Sequence, residues 1–186
     1  YNGTTRNEFY TSFAGRHTRL RMLGMGIEDD SRRLDTYSRI AHDVPDCNTD
    51  ELFKYTGDDE AMGAFSGLIY VAEGASKTEA FQSNRNLVGS DTAKMHSKPQ
   101  LEIYNDDVKC SHGTAIGQLD EKQLFYMMTR GISEAQARFM LKQAFISDVI
   151  DGISLAPLRD RLKLMVERRF AGEKAACASC PVSCKD

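Results

Sequence analysis

Clusters of turn-forming residues recur along this chain at near-regular intervals, and that regularity limits what it can fold into. Gly57-Asp58-Asp59, Glu73-Gly74, Gly89-Ser90-Asp91 and Asn105-Asp106-Asp107 are spaced roughly 16 residues apart. Between such clusters run short segments with strand character, among them Phe65 to Val71, Ala93 to His96, Leu101 to Tyr104 and Val108 to Ile116. Apolar and polar residues alternate imperfectly there, and bulky side chains are mixed with small ones. A stacked β unit with a narrow interior requires such a mixture. From about residue 6 to 118 the residues alone leave two architectures open, a β-solenoid and a β-sandwich.

The punctuation changes after residue 118. Asp120 followed by Gln123 reads as an N-cap with its capping-box partner and opens a helix from Glu121 to Arg130, stopped by Gly131. Ser133 with Gln136 repeats the start signal. Ala137, Met140, Leu141, Ala144, Phe145 and Ile150 then recur at helical spacing on one predicted face. A third helix begins with Pro157 in its first turn. It places Leu158, Leu162, Met165, Val166 and Phe170 on a stripe opposite Arg159, Arg161, Lys163, Arg168 and Arg169, and Gly172 ends it. The chain therefore divides into a β part (1–118), a helical subdomain (119–171) and a cysteine-containing tail (172–186).

Function classes are narrowed by what the sequence carries. A formal charge of −3 argues against a nucleic-acid-binding surface spread over the chain. No run approaches the roughly 18 apolar residues of a membrane span, and no secretory core opens the sequence, so the expectation is a cytoplasmic protein without a membrane partner. Five cysteines, an odd number, argue against a disulfide framework. No phosphate-binding Gly-x-x-x-x-Gly-Lys-Ser/Thr loop, nucleophile elbow or His-Glu-x-x-His helix occurs. Gly24-x-Gly26 lacks a third glycine and a following helix and reads as a turn. His17, His42 and His96 stand isolated in the sequence, and Cys47 sits in a turn-like Pro-Asp-Cys-Asn setting.

The chemistry concentrates in Val108-Lys-Cys-Ser-His-Gly113. Side chains two apart on a strand share a face, so Cys110 and His112 project the same way, roughly 7 Å apart. A thiol and an imidazole so placed can hold iron or zinc together, or act as nucleophile and base. They can equally be a small buried hydrophobe and a satisfied turn residue. In the tail, Cys177-x-x-Cys180-x-x-x-Cys184 has soft-ligand spacing but only three thiols, where a stable zinc or cluster site commonly takes four.

The segment from Leu101 to Gly131, LEIYNDDVKCSHGTAIGQLDEKQLFYMMTRG, closely resembles the C-terminal region of the SufB/SufD family of iron–sulfur cluster assembly scaffolds, on the SufD side. The resemblance extends back through Lys77 to Leu87, KTEAFQSNRNL, reaches His42 and Lys54, and runs forward to about Phe170. One departure is Gly113-Thr114-Ala115 where the family pattern has Gly-Ala-Thr. The resemblance starts in mid-domain and the first residue is Tyr1, so the chain is expected to be a C-terminal fragment.

It implies a right-handed parallel β-helix followed by the small helical subdomain. It further implies a non-catalytic scaffold in a SufBCD-type complex, pairing with a SufB-like subunit through the β-helix. A SufC-like ATPase would bind the C-terminal helices through Leu158, Leu162, Met165 and Val166. A transient iron–sulfur cluster or iron would form at the subunit interface, with His112 as a ligand. Cys110 would be a second ligand or a sulfide-accepting thiolate, with Lys109 adjacent but facing away. No tightly bound cofactor is implied for the fragment, and its open ends invite a homodimer. Two other classes stay open: a β-solenoid enzyme acting on polysaccharides, with Asp106, Asp107 and Asp120 as its acidic candidates, and a purely structural interaction module.

Overall fold

A computed structural model describes residues 3–172. Eight strands precede three helices: β1 (Thr4–Ser12), β2 (Arg19–Glu28), β3 (Arg33–His42), β4 (Asn48–Gly57), β5 (Met62–Val71), β6 (Thr78–Val88), β7 (Lys94–Ile103), β8 (Val108–Gln118), α1 (Glu121–Thr129), α2 (Glu134–Asp151) and α3 (Ala156–Phe170). Odd-numbered strands form one parallel sheet in the order β1-β3-β5-β7 and even-numbered strands form the other, β2-β4-β6-β8. Thr4 lies beside Arg33, Arg33 beside Met62 and Met62 beside Lys94, so each coil takes about 30 residues and holds two strands. The turn spacing in the sequence is half a coil. The alternative of a β-sandwich is resolved in favour of a parallel β-solenoid.

The punctuation falls at the corners between strands, and at Asp59 it coincides with left-handed backbone. Backbone at positive φ recurs at His17, Asp46 and Lys77 on one edge and at Asp30 and Asp59 on the other. Asp tolerates this left-handed region better than most residues. Successive corners are tied together: Asp46 N donates to Ser76 O at 2.9 Å, and Glu60 N donates to Asp30 O at 2.9 Å.

Two readings of the sequence need correction here. Ala93–His96 and Leu101–Tyr104 are not separate strands. They are the two ends of β7, which runs unbroken through Pro99 because β7 is the last strand of its sheet, where a missing N–H is tolerated. Nor is Gly24-x-Gly26 a turn. Both glycines lie inside β2, where a Cβ on Gly24 would collide with the Phe53 ring and one on Gly26 with Leu34 and Tyr55. The narrow interior puts these glycines where large rings from the next coil need room.

Aliphatic and aromatic side chains fill much of the space between the sheets, with Leu34, Phe53, Tyr55, Phe65 and Met95 forming one cluster and Ile69, Val71, Ala75 and Ala80 another. Polar side chains are buried there too: Thr36, Ser38, His42, Thr49, Glu51, Gln82, Asn84 and Asn86.

The helices fold back over the outer face of β2 and β4. Ile146, Ile150 and Val166 pack with Met25 and Ile27 of β2. Lys142 Nζ meets Asp58 Oδ1 at 2.5 Å, and Arg169 pairs with Asp29. Ser133 caps α2 by accepting from Gln136 N at 3.3 Å. Asp120 caps α1 through Lys122 N at 2.9 Å, not through the Gln123 position expected of a capping box. The inner face of α2 also differs from the predicted stripe. Ile146 and Val149 are buried, whereas Met140 and Ala144 are exposed.

Candidate functional site at the open end of the last coil

β8 is the outermost strand of its sheet, paired with β6 alone. Its register sets Ala80 beside Cys110 and Gln82 beside His112. One coil deeper, Thr49 pairs with Ala80 and Glu51 with Gln82. Two inward-facing columns result, Thr49–Ala80–Cys110 and Glu51–Gln82–His112. Each runs from the sealed interior to the solenoid's open end.

Cys110 and His112 share a face, the one that looks between the sheets, and they differ in depth. Cys110 is half-buried against the cluster of Ile69, Val71, Ala75 and Ala80. His112 is exposed. Burial pushes the Cys110 thiol up from its ordinary value, opposed only in part by a hydrogen bond from the Ala80 backbone. Lys109 does not offset this, since it turns to the outer face and meets Glu79, Nζ to Oε1 3.3 Å. In this segment Cys110 is a protonated thiol at neutral pH, and a thiolate there requires a cation supplied from outside the segment.

Deeper in the column, Gln82 Nε2 donates to Glu51 Oε2 at 2.6 Å. Burial raises the Glu51 carboxyl, against hydrogen bonds from Ser38 and Gln82 that lower it. Beside it, Asn84 Nδ2 donates to the Phe53 carbonyl and Asn86 Nδ2 to Asn84 Oδ1 at 2.8 Å. This inward polar row, Gln82-x-Asn84-x-Asn86, was missed as a site from the sequence alone. Its period-two signal is present, but with Phe81 outward and Gln82 inward the usual apolar-in pattern is inverted.

The other sequence candidates lie elsewhere. His42 is sealed in the interior, stacked on Phe13 at 4.4 Å and bonded through Nε2 to Thr49 Oγ1 at 2.9 Å; burial pulls it down to about 4. Lys54 is buried under α2. Cys47 packs in the core with Phe13 and Ile40. Asp120 is occupied as a helix cap, and Asp106 and Asp107 sit in the β7–β8 turn. On α3, Val166 is 3% exposed and belongs to the core, with Leu162 packed against it, while Leu158 at 44% and Met165 at 55% face solvent. Cys177, Cys180 and Cys184 lie outside the described residues. Among the described residues no group of three or more His, Cys, Asp or Glu side chains could hold a metal ion, and no helix is long and apolar enough to cross a membrane. Two donors at the open end, one soft and one borderline, are too few for a closed site.

Residues 1–145 match the family described as SUF system FeS cluster assembly, SufBD core domain. The chain belongs to the SufBD family. It is 34% identical over 167 residues to the iron–sulfur cluster assembly protein SufD of Escherichia coli, covering 90% of this chain and 40% of that protein. A SufBD family iron–sulfur cluster assembly protein of Synechocystis is 40% identical over 152 residues, covering 82% and 34% respectively. The SufD of Plasmodium falciparum is 29% identical over 140 residues, which is 75% of this chain and 10% of that protein. The chain thus spans well under half the length of these SufBD relatives, and it is a SufD-type segment.

Proposed function

We propose that this segment is the C-terminal part of a non-catalytic scaffold subunit for iron–sulfur cluster assembly, acting in the cytoplasm within a SufBCD-type complex. The observation that carries this reading is an imidazole at the exposed end of a solenoid, with a thiol beneath it on the same face and both sheet edges beside it unpaired. In this reading a SufB-like subunit closes the last coil and supplies the donors that Cys110 and His112 lack. Iron, or a nascent cluster, is the cargo held between the subunits. His112 offers one neutral ring nitrogen to iron. Cys110 becomes a ligand once the cation beside it lowers its thiol and the proton leaves to solvent. A SufC-like ATPase docks on the solvent side of α3, around Leu158 and Met165, and its motion reshapes the interface.

The test is co-purification of the full-length protein with its SufB-like and SufC-like partners, followed by iron and sulfide analysis. His112→Ala is expected to leave the complex assembled and to lower its cluster content. Cluster content equal to the unsubstituted complex would overturn the role given to His112.

A further inference from the structure

Gln82 is only 2% exposed, and its amide is used on one side only. Nε2 donates to Glu51 Oε2, and since a carboxyl oxygen in that position accepts, the amide's orientation is fixed with nitrogen toward β4. The carbonyl oxygen Oε1 is buried and has no hydrogen-bond partner. An orphaned acceptor costs roughly 1–3 kcal/mol, so its survival calls for a use. The residue in register on the far side of Gln82 is His112, on the neighbouring strand about 4.8 Å away. Gly67 of β5 stands across the interior, and a Cβ there would strike the Gln82 amide. The bare backbone at Gly67 leaves room for the Gln82 amide and the Phe65 ring.

We propose that Gln82 is the positioning residue for His112: the exposed imidazole turns inward over the coil so that Oε1, unpaired in this structure, accepts the N–H of one ring nitrogen, which holds the ring in a single tautomer and leaves the other nitrogen to face the open end of the coil. Glu51 holds the amide and so acts one step further back. Metal-ligating histidines generally need such a partner, and its loss typically costs tenfold or more in metal affinity or activity. This inference rests on the reading of His112 as an iron ligand.

The decisive measurement is read on the unsubstituted protein. In full-length protein labelled with ¹⁵N-histidine, the two ring-nitrogen shifts of His112, assigned by their loss in His112→Ala, report the tautomer at a pH where the ring is neutral. A positioned ring gives one tautomer, and the mixture of a free imidazole overturns the proposal. Gln82→Leu is expected to restore that mixture and to lower the iron content of the assembled complex about tenfold or more. The double variant Glu51→Gln with Gln82→Glu exchanges amide and carboxylate while keeping an acceptor beside His112, and it is expected to recover both readouts. Loss in Gln82→Leu without recovery in the exchanged pair means that Gln82 merely supports the fold. Full cluster content in His112→Ala defeats the ligand reading itself. A normal tautomer and iron content in Gln82→Leu, with His112→Ala impaired, defeats only the positioning role.

Discussion

Lys54 Nζ lies 2.7 Å from Asp148 Oδ2 and donates to the Phe145 carbonyl at 2.8 Å, which fastens the C-terminal half of α2 to the outer face of β4. The ammonium also sits 4.8 Å from the centre of the Phe145 ring. Lys54 is 5% exposed, so its charge is almost wholly dependent on these three partners. The helical subdomain is thereby locked to the first half of the solenoid, leaving the last coil uncovered.

Lys54→Ala is expected to cost about 2–3 kcal/mol, since it removes two hydrogen bonds from a buried charge and the packing of its stem. Asp148→Asn should cost less, because that carboxylate is half-exposed and the bond to the Phe145 carbonyl survives. Urea denaturation gives the energies. Amide exchange reports where they act, with protection lost first over α2 and α3. Equal losses in both variants would show that the carbonyl and ring contacts contribute little.

His42 supplies a pH dependence whose sign follows from its burial. Its folded value is about 4 against an ordinary 6.5, so between these the unfolded chain binds a proton that the folded chain refuses. Stability is present in full above 6.5 and falls as the pH drops toward 4, by about 3 kcal/mol in total. His42→Asn should flatten this slope between pH 6.5 and 5, where few carboxyl groups titrate. Denaturant midpoints measured across that interval check it, and an unchanged slope would locate the proton uptake elsewhere.

Glu51 acts in the opposite sense. Its folded carboxyl is raised above the ordinary 4.5, so the unfolded chain releases its proton first and stability declines as pH rises through and above that value. Glu51→Gln keeps an acceptor for Gln82 and a hydrogen-bonding group for Ser38 while abolishing the buried charge. The variant should be more stable at pH 7 by about 1–3 kcal/mol, with the gain vanishing below pH 4.5. Thermal melts at the two pH values measure the difference. A loss of stability at pH 7 would mean that the ionised carboxylate is well solvated by its neighbours.

How far the sequence reveals this arrangement depends on the distance over which each feature is encoded. Turn clusters mark the corners locally, as at Asp59, where backbone at positive φ favours Asp, and the shared face of Cys110 and His112 follows from strand alternation. The register neighbours of His112 are not local. Gln82 and Glu51 reach it only through the register of successive coils, about 30 residues apiece, and a polar row inside a sheet looks from sequence like a row outside it. The faces of α2 are also set at a distance. Its apolar residues surround much of the helix, and Asp58 and Lys54, far back in the chain, select which side is buried.

The stripe of α3 divides along the same line. Val166 is packed with Ile146 and Ile150, while Leu158 and Met165 on the outer side touch no buried cluster. Val166→Ala should therefore cost about 1–3 kcal/mol of stability. Leu158→Glu with Met165→Glu should leave the melting temperature within a degree or two, because exposed positions tolerate charge. If these two residues meet the SufC-like ATPase, the double variant loses that subunit in co-purification and keeps the SufB-like one. Retention of both partners by the double variant, together with an unaltered melt, would move the ATPase contact off this face of α3.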